Sequence, residues 1–306
     1  MRVVLTGATG TIGGTVATRL QERGDRVVAL ARDRHRAAQR LGANVEVHEW
    51  RAPTGQLPPS EALSGADGVI HLLGEPISQR WTAAAKQRIH DSRVLSTRHL
   101  VAGLRRLPDD ERPQALVSQS ATGFYGPRNS QPVDESTSSG RGFLADLVAA
   151  WEAEALSAAD MMRVAVTRTG VVLSEQGGAL AKMLPFFRLG IGGRVAGGRQ
   201  YVPWVHLEDV AAALVRCLDD DSAQGAINVT SPNPVTNAEL SRALGHALGR
   251  PAFLPVPGFA LHALYGEMAQ LVVTGQRVVP ARLERMSFDF RYPRVESALH
   301  DVLSDA

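Results

Sequence analysis

The sequence has few of the features that mark disulfide-bonded or metal-binding proteins. Its 306 residues contain one cysteine, Cys217, so an internal disulfide cannot form. Cys217 lies on an apolar helical stripe, and we interpret it as a small buried hydrophobic residue. The nine histidines form no pair at metal-ligand spacing. We therefore predict no metal site.

Long hydrophobic runs and an excess of one charge are also lacking. The first apolar run, residues 3–5, ends at Thr6 and Gly7 and is too short for a signal peptide. No run approaches the ~20 residues of a membrane helix. The formal net charge is only +2, from 33 basic and 31 acidic residues. We predict a cytoplasmic protein with a small-molecule substrate and no nucleic-acid or membrane partner. The oligomeric state is left open.

Short β-branched runs alternate with helical patterns along the chain. The runs cover residues 3–5, 27–30, 45–47, 69–71, 115–118, 164–168 and 226–230. Between them, apolar residues recur at helical spacing, for example from Leu144 to Ala155 and from Leu207 to Leu218. This alternation predicts the α/β class, with a Rossmann-type doubly wound parallel sheet.

A second, smaller domain is predicted from two segments that break this rhythm. Residues 174–205 are rich in glycine, and prolines punctuate the chain after residue 231. The run at 226–230 between them reads as another strand of the main sheet. We predict a Rossmann domain of residues 1–173 and 206–230, and a discontinuous C-terminal substrate domain of residues 174–205 and 231–306.

A glycine-rich turn follows the first predicted strand. Its sequence is Thr6-Gly7-Ala8-Thr9-Gly10-Thr11-Ile12-Gly13. Gly7 permits a tight turn, Gly10 lets the backbone approach a pyrophosphate, and Gly13 lets the following helix pack close to the strand. An ordinary glycine-rich loop is the alternative, but the strand before it, the helix after it and a second strand from Val27 argue against that. We predict a dinucleotide site formed by Thr6, Gly7, Thr9, Gly10, Thr11, Ile12 and Gly13.

The end of the second strand carries the information on which dinucleotide binds. The position expected to hold the acidic residue of an NAD site is Ala31, and Arg32 follows it. A guanidinium is suited to a bidentate contact with the 2′-phosphate of NADP. We predict NADP(H) as cofactor with Arg32 as its phosphate ligand. Asp33 keeps NAD open, and Arg32, Arg34 and Arg36 also fit a solvated charge run.

Three segments resemble extended short-chain dehydrogenase/reductases. They are residues 6–13, residues 118–126 (Ser-Gln-Ser-Ala-Thr-Gly-Phe-Tyr-Gly) and residues 204–210 (Trp-Val-His-Leu-Glu-Asp-Val). Residues 71–77, Arg80-Trp81, Ser92-Arg93, Trp151-Glu152 and a C-terminal module from about Val256 to Leu303 narrow the resemblance to an atypical "epimerase family" subgroup related to sugar-nucleotide epimerases. The resemblance covers nearly the whole chain. It implies a Rossmann domain with NADP(H) and a substrate domain at the C-terminal end of the sheet.

The resemblance also assigns roles to individual residues. Ser120 matches the active-site serine of extended members, and Ser118 lies where the fifth strand meets the cofactor. Leu73 and Gly74 resemble the cofactor-side turn after the fourth strand, and the loop beginning at Thr169 lies beside the nicotinamide. Small residues are common at strand ends for structural reasons alone, so only the two serines carry a clear functional preference.

The sequence departs from this family at the catalytic pair. Extended members carry a tyrosine and a lysine one helical turn apart, so that both face the nicotinamide. Counting back from Trp151, these positions hold Leu144 and Val148, and neither side chain can move a proton. We predict Ser120 and Tyr125 as the catalytic hydroxyl groups. The alternative for Tyr125 is a wall of the substrate pocket.

Two functions remain open at this point. The first is an NADP(H)-dependent oxidoreductase or epimerase-like enzyme acting on a small polar substrate that bears a carbonyl or hydroxyl group, with nucleotide sugars among the candidates. Arg194, Arg199 and Arg282 are candidate ligands for the phosphates of such a substrate. The second is a non-catalytic NADP(H)-binding redox sensor or scaffold, which the missing catalytic pair favours. The sequence leaves the substrate and the direction of reaction open.

Overall fold

Strands and helices alternate along the chain in the computed structural model, which describes residues 1–304. The strands are β1 Arg2–Thr6, β2 Arg26–Ala31, β3 Glu46–Glu49, β4 Gly68–His71, β5 Ala115–Ala121, β6 Pro132–Val133, β7 Arg163–Thr169, β8 Val171–Leu173, β9 Tyr201–Val202, β10 Trp204–His206, β11 Gly225–Val229, β12 Val235–Thr236 and β13 Arg277–Val278. The α-helices are α1 Thr11–Glu22, α2 Arg34–Leu41, α3 Ser60–Leu63, α4 Ala83–Arg105, α5 Phe143–Leu156, α6 Gly178–Arg188, α7 Leu207–Asp219, α8 Asn237–Ala247, α9 Gly258–Tyr265, α10 Gln270–Val273, α11 Ala281–Arg285 and α12 Val295–Ser304. Short 3₁₀ helices cover Asp109–Glu111, Thr122–Tyr125 and Gly266–Ala269.

The described chain is built around a seven-stranded sheet in the order β11-β7-β5-β4-β1-β2-β3. Every neighbouring pair in it is parallel. The predicted α/β class with a doubly wound parallel sheet is therefore confirmed. After β1 the chain turns to β2 on one side, and it later returns to place β4 on the other. Such a reversal opens a crevice at the carboxyl ends of the two central strands, which is where ligands of this architecture bind.

Side chains alternate between the two faces of this sheet and form two separate cores. Val3 and Leu5 of β1 pack with residues of α1 and α7, whereas Val4 packs with residues of α3 and α4 on the opposite face. Alternation of this kind follows from the two-residue period of a strand. Helices therefore cover both faces, and this explains why the strands read as nearly continuous apolar runs.

A smaller group of elements lies beyond the sheet. The strand pairs β8–β10 and β9–β12 accompany helices α6, α8 and α12. These helices share a core cluster with the β8 and β10 strands; its members include Leu173, Leu184, Phe187, Trp204 and Leu299. Segments before and after β11 both contribute, so the group is discontinuous. The exact boundaries at residues 173, 205 and 230 stay a prediction, and residues 305–306 lie outside the described part.

The structure also bears on the membrane, metal and cysteine predictions that were made from the composition. Within residues 1–304, no helix combines the length and the apolar character that a membrane span requires. Over the same range, His, Cys, Asp and Glu side chains form no group of three that fits a metal ion. Cys217 is fully buried on α7, and this burial raises the pKa of its thiol to about 12. The interpretation of Cys217 as a buried apolar residue is confirmed.

Candidate functional site

The glycine-rich turn joins β1 to α1 and needs its glycines for different reasons. Gly7 has a φ of +69°, and a Cβ there would lie 2.8 Å from the carbonyl oxygen of Leu72. A Cβ at Gly13 would lie 2.1 Å from the carbonyl oxygen of Gly7, so Gly13 permits the close packing of helix and strand. Gly10 is exposed, and its Cβ would meet only the Gly7 oxygen at 3.3 Å. No side chain caps this end of α1. Its first-turn N–H groups, around Thr11 and Ile12, therefore suit an anion.

The end of β2 separates the roles of Arg32 and Asp33. Asp33 is the N-cap of α2, where its Oδ1 accepts a hydrogen bond of 3.0 Å from the backbone N–H of Arg36. Such caps stabilise a helix by satisfying one of its free N–H groups. Arg32 is exposed at the carboxyl edge of the sheet. It forms no hydrogen bond or ion pair with the described residues, so its guanidinium remains available to a ligand.

A buried histidine connects the ends of β1 and β4. His71 Nδ1 lies 2.8 Å from the hydroxyl of Thr6, and Nε2 lies 3.0 Å from the hydroxyl of Thr97. Thr97 donates its own proton to the carbonyl of Arg93, so His71 donates from Nε2 and accepts at Nδ1. Complete burial lowers the pKa of His71 to about 3 and keeps the ring neutral. The Thr6 hydroxyl also accepts from the N–H of Leu72 at 3.0 Å, so its hydrogen bonds hold the two strand ends together.

Ser120 takes part in a buried ionic network. Its hydroxyl donates a 2.5 Å hydrogen bond to Glu152 Oε1 of α5. Arg168 of β7 donates to both oxygens of the same carboxylate at 2.8 Å from Nε and Nη2. The Glu152 and Arg168 side chains are each only 6% exposed. Ser120 therefore has its proton engaged in the network that joins β5, α5 and β7.

Tyr125 continues this network and is completely buried. Its hydroxyl donates to Asn228 Oδ1 at 2.7 Å and accepts from Arg168 Nη1 at 3.0 Å. Burial raises the pKa of Tyr125, so the phenol stays protonated. The ring of Phe124 covers the guanidinium of Arg168 at 3.4 Å from the ring centroid. The structure therefore corrects the expectation that Tyr125 presents its hydroxyl to a substrate, because that group is enclosed and has a donor and an acceptor already.

The two positions of the missing catalytic pair lie side by side on α5. A Cβ built on Gly123 would lie 3.6 Å from the Cβ of Leu144 and 3.8 Å from Cγ2 of Val148. Gly123 lies in the 3₁₀ helix Thr122–Tyr125, which directly follows β5. These two positions of α5 therefore present apolar side chains next to the carboxyl end of β5, whereas Glu152, one turn further along α5, binds Ser120 of β5.

The other predicted cofactor residues lie at the same edge of the sheet or close to it. Ser118 of β5 is paired with His71 of β4, and its buried hydroxyl has no hydrogen-bond partner among the described residues. Thr169 ends β7 and donates to the carbonyl of Thr167 at 3.2 Å. Leu73 and Gly74 follow β4, and Thr9 belongs to the turn after β1. The structure thus brings these residues to the carboxyl ends of the central strands.

Sequence reasoning missed the Glu152–Arg168 pair and the position of Arg93 beside Gly74. Both could have been found from a charged residue at a position where the sequence pattern is otherwise apolar: Arg168 within a buried strand, and Arg93 between Ile89 and Thr97 on the buried face of α4.

One of the arginines predicted to bind a substrate phosphate needs correction. Arg282 donates to the backbone carbonyls of Ser222, Gln224 and Ala226, so its guanidinium holds the start of β11.

Residues 3–230 match the family model described as the NAD dependent epimerase/dehydratase family. The chain belongs to this family. Residues 256–302 match a second model, a domain of unknown function called DUF1731. Together the two matches confirm the resemblance to the epimerase family, including its C-terminal module. The family match also confirms the expectation of a nicotinamide dinucleotide as cofactor.

Relatives of this epimerase family member span nearly its whole length. An epimerase family protein SDR39U1 homolog, chloroplastic, from Arabidopsis thaliana is 38% identical over 310 residues, covering 99% of this chain and 87% of the relative. The crystal structure of human epimerase family protein SDR39U1 with NADPH is 31% identical, covers all of both chains and superposes with a TM-score of 0.88. UDP-glucuronic acid 4-epimerase from Bacillus cereus, 14% identical with a TM-score of 0.79 over 100% of this chain and 99% of that enzyme, shares the fold.

Proposed function

We propose that this epimerase family member binds NADP(H) in the crevice between β1 and β4. The observation that carries the proposal is the division of roles at the end of β2: Asp33 is engaged as the cap of α2, whereas Arg32 is exposed and unpaired among residues 1–304. A free guanidinium favours a 2′-phosphate over a ribose hydroxyl. The crystallised human relative, which contains NADPH, supports the same choice.

The residues around the crevice fit this cofactor. The N-terminus of α1 faces the crevice at Gly10 and would hold the pyrophosphate. Leu73, Gly74, Ser118 and Thr169 lie along the carboxyl ends of β4, β5 and β7 and would line the remainder of the dinucleotide. When bound, the nicotinamide supplies hydride transfer, and the chain supplies orientation and charge.

We propose that the reaction is a hydride transfer involving a small polar substrate with a carbonyl or hydroxyl group, in an oxidoreductase or epimerase-like cycle. The substrate would lie between the sheet edge and the elements of residues 174–205 and 231–306. Ser120 and Tyr125 then act as rigid parts of the buried Glu152–Arg168 network, because their protons are bound to Glu152 and Asn228. The engaged hydroxyl groups and the apolar Leu144–Val148 face disfavour alcohol oxidation that needs a protein base at neutral pH.

A second candidate function is a non-catalytic NADP(H) sensor. The specific observation in its favour is the same apolar α5 face, together with the two engaged hydroxyl groups of Ser120 and Tyr125. Two assays of the parent protein separate the candidates: oxidation of NADPH in a panel of aldehydes and ketones, and formation of an epimer from each of a panel of nucleotide sugars, since an epimerase cycle returns the hydride and consumes no NADPH. Turnover with any panel member supports the enzyme. Tight NADPH binding without turnover supports the sensor.

The cofactor assignment is tested by Arg32→Ala. Loss of a charge-assisted phosphate contact is expected to weaken NADPH binding about ten- to a hundredfold, with less than about a twofold change for NADH, which lacks that phosphate. Titration calorimetry measures both. Arg34→Ala is the matched control, since it removes an exposed arginine two residues further on, in the first turn of α2. Equal losses for both cofactors, or an equal loss in the control, contradict the assignment.

A further inference from the structure

Arg93 is a cation on the buried face of a long helix. It lies on α4 between Ile89 and Thr97, which are both buried. Its Cζ lies 5.3 Å from the ring centroid of Trp151. Nη1 donates to the carbonyl oxygens of Glu75 at 2.9 Å and Ile89 at 3.2 Å. One edge of the guanidinium is therefore fixed by the protein.

No carboxylate pairs with this guanidinium. Within residues 1–304, every acidic oxygen lies more than 4.0 Å from Arg93, although the charge of Glu75 is near enough to act at longer range. Burial lowers the pKa of Arg93 to about 10, with Glu75 opposing the shift, so the side chain is charged at neutral pH. A desolvated cation without a counter-ion is costly, and proteins seldom keep one unless an anion meets it.

The remaining edge of Arg93 lies at the end of β4. A Cβ built on Gly74 would be 2.9 Å from Nη2 and 3.3 Å from Nε, and neither nitrogen donates to another described residue. The same turn begins at Leu72, whose carbonyl oxygen would lie 2.8 Å from a Cβ built on Gly7 of the glycine-rich turn. Nε and Nη2 form the fork that matches two oxygens of a phosphate or carboxylate.

We propose that Arg93 binds an oxyanion of the ligand through Nε and Nη2, at the carboxyl end of β4. The inference rests on the proposed function, because it requires a ligand in this crevice. Two sources supply the same chemistry: the pyrophosphate of the cofactor, or an acidic group of the substrate. A bound oxyanion would thereby be held by a side chain of α4 that also donates a hydrogen bond to the carbonyl oxygen of Glu75.

The test compares Arg93→Met and Arg93→Lys with the parent protein by titration calorimetry. The ligands are NADPH, adenosine 2′-phosphate, which lacks the pyrophosphate and the nicotinamide half of NADPH, and oxalate or inorganic phosphate added to the NADPH complex. Arg98→Met is the matched control, because Arg98 lies on the same helix but is exposed and paired with Glu154. Melting temperatures establish that each variant is folded.

Either of two results supports the proposal. If the oxyanion belongs to the cofactor, Arg93→Met weakens NADPH binding at least about tenfold and the binding of adenosine 2′-phosphate less than about twofold. If it belongs to a substrate, NADPH binds normally but the NADPH complex loses oxalate or phosphate binding by a similar factor. Arg93→Lys, which keeps the charge and loses the fork, gives an intermediate loss in either case.

The proposal is overturned if Arg93→Met and Arg93→Lys bind every ligand as the parent does, or if Arg98→Met shows the same losses. If Arg93→Met does not fold, the affinities of Arg93→Lys for the same ligands are compared with those of the parent protein, and unchanged affinities overturn the proposal. Failure of the proposed function looks different, because then the parent protein itself binds NADPH no better than NADH.

Discussion

Glu152 receives hydrogen bonds from Ser120 and Arg168 and is almost completely buried. Arg168→Met removes the only cation paired with this carboxylate among the described residues and leaves a buried charge behind. The expected loss is about 3–5 kcal/mol in the free energy of unfolding. Urea unfolding followed by tryptophan fluorescence measures it.

The control for this prediction is Arg98→Met, which breaks the exposed pair with Glu154. Exposed pairs contribute little because solvent screens them, so its urea midpoint should equal that of the parent protein. Equal midpoints for Arg168→Met and the parent would show that the Glu152 network does not stabilise the fold.

At the residue scale, the sequence predicts the roles of residues within a local motif but not the pairs formed by residues that are distant in sequence. Gly7, Gly10 and Gly13 lie within one turn, so their roles follow from spacing alone. The hydrogen-bond partners of Tyr125 are Arg168 and Asn228, which are distant in sequence and meet only when the sheet has folded. A sequence motif therefore located Tyr125 near the site but could not show that its hydroxyl is enclosed.

At the scale of elements, two glycines at the junction of β1 and α1 have different roles: Gly10 leaves room for a ligand, and Gly13 permits close packing of helix and strand. Gly10→Val adds a side chain on the exposed side of the turn and should reduce NADPH binding more than tenfold with an unchanged melting temperature. Gly13→Ala forces a Cβ to within 2.1 Å of the Gly7 oxygen and should destabilise the fold by about 1–3 kcal/mol, as overpacking does. Calorimetry and thermal unfolding measure the two effects. The assignment of roles is wrong if Gly10→Val melts early while Gly13→Ala does not.

The sequence located the elements of the sheet better than those of the smaller group. Buried parallel strands are apolar over their whole length and are easily recognised. In contrast, β9 has only two residues, Tyr201–Val202, and pairs with β12, Val235–Thr236, from a distant segment. Strands this short carry no periodicity, and their existence depends on tertiary pairing.

For the molecule as a whole, His71 couples folding to pH. Its pKa is lowered to about 3 from 6.5 by burial, so between these values the unfolded chain binds a proton that the folded chain does not. Stability is therefore fully present above about pH 6.5 and falls by up to about 1.4 kcal/mol per pH unit as the pH decreases toward 3. Between pH 7 and pH 4 the loss should reach roughly 3 kcal/mol.

The measurement is urea unfolding at several pH values in that range for the parent protein and for His71→Gln. Glutamine does not titrate, so the difference in unfolding free energy between the two proteins should shrink as the pH falls. His35→Gln, at an exposed position of α2, should leave the pH dependence unchanged. A constant difference between parent and His71→Gln would mean that folding does not lower the pKa of His71.

The last strand of the sheet has a consequence for synthesis on the ribosome. β11, Gly225–Val229, pairs with β7, yet the chain between them must emerge first. Until about residue 230 has left the exit tunnel, β7 is an open edge with apolar residues on both faces, and open edges promote aggregation. The nascent chain is thus most vulnerable after residue 169 has left the tunnel and before residue 230 has done so, and a pause in translation in that interval would be more harmful than a later one.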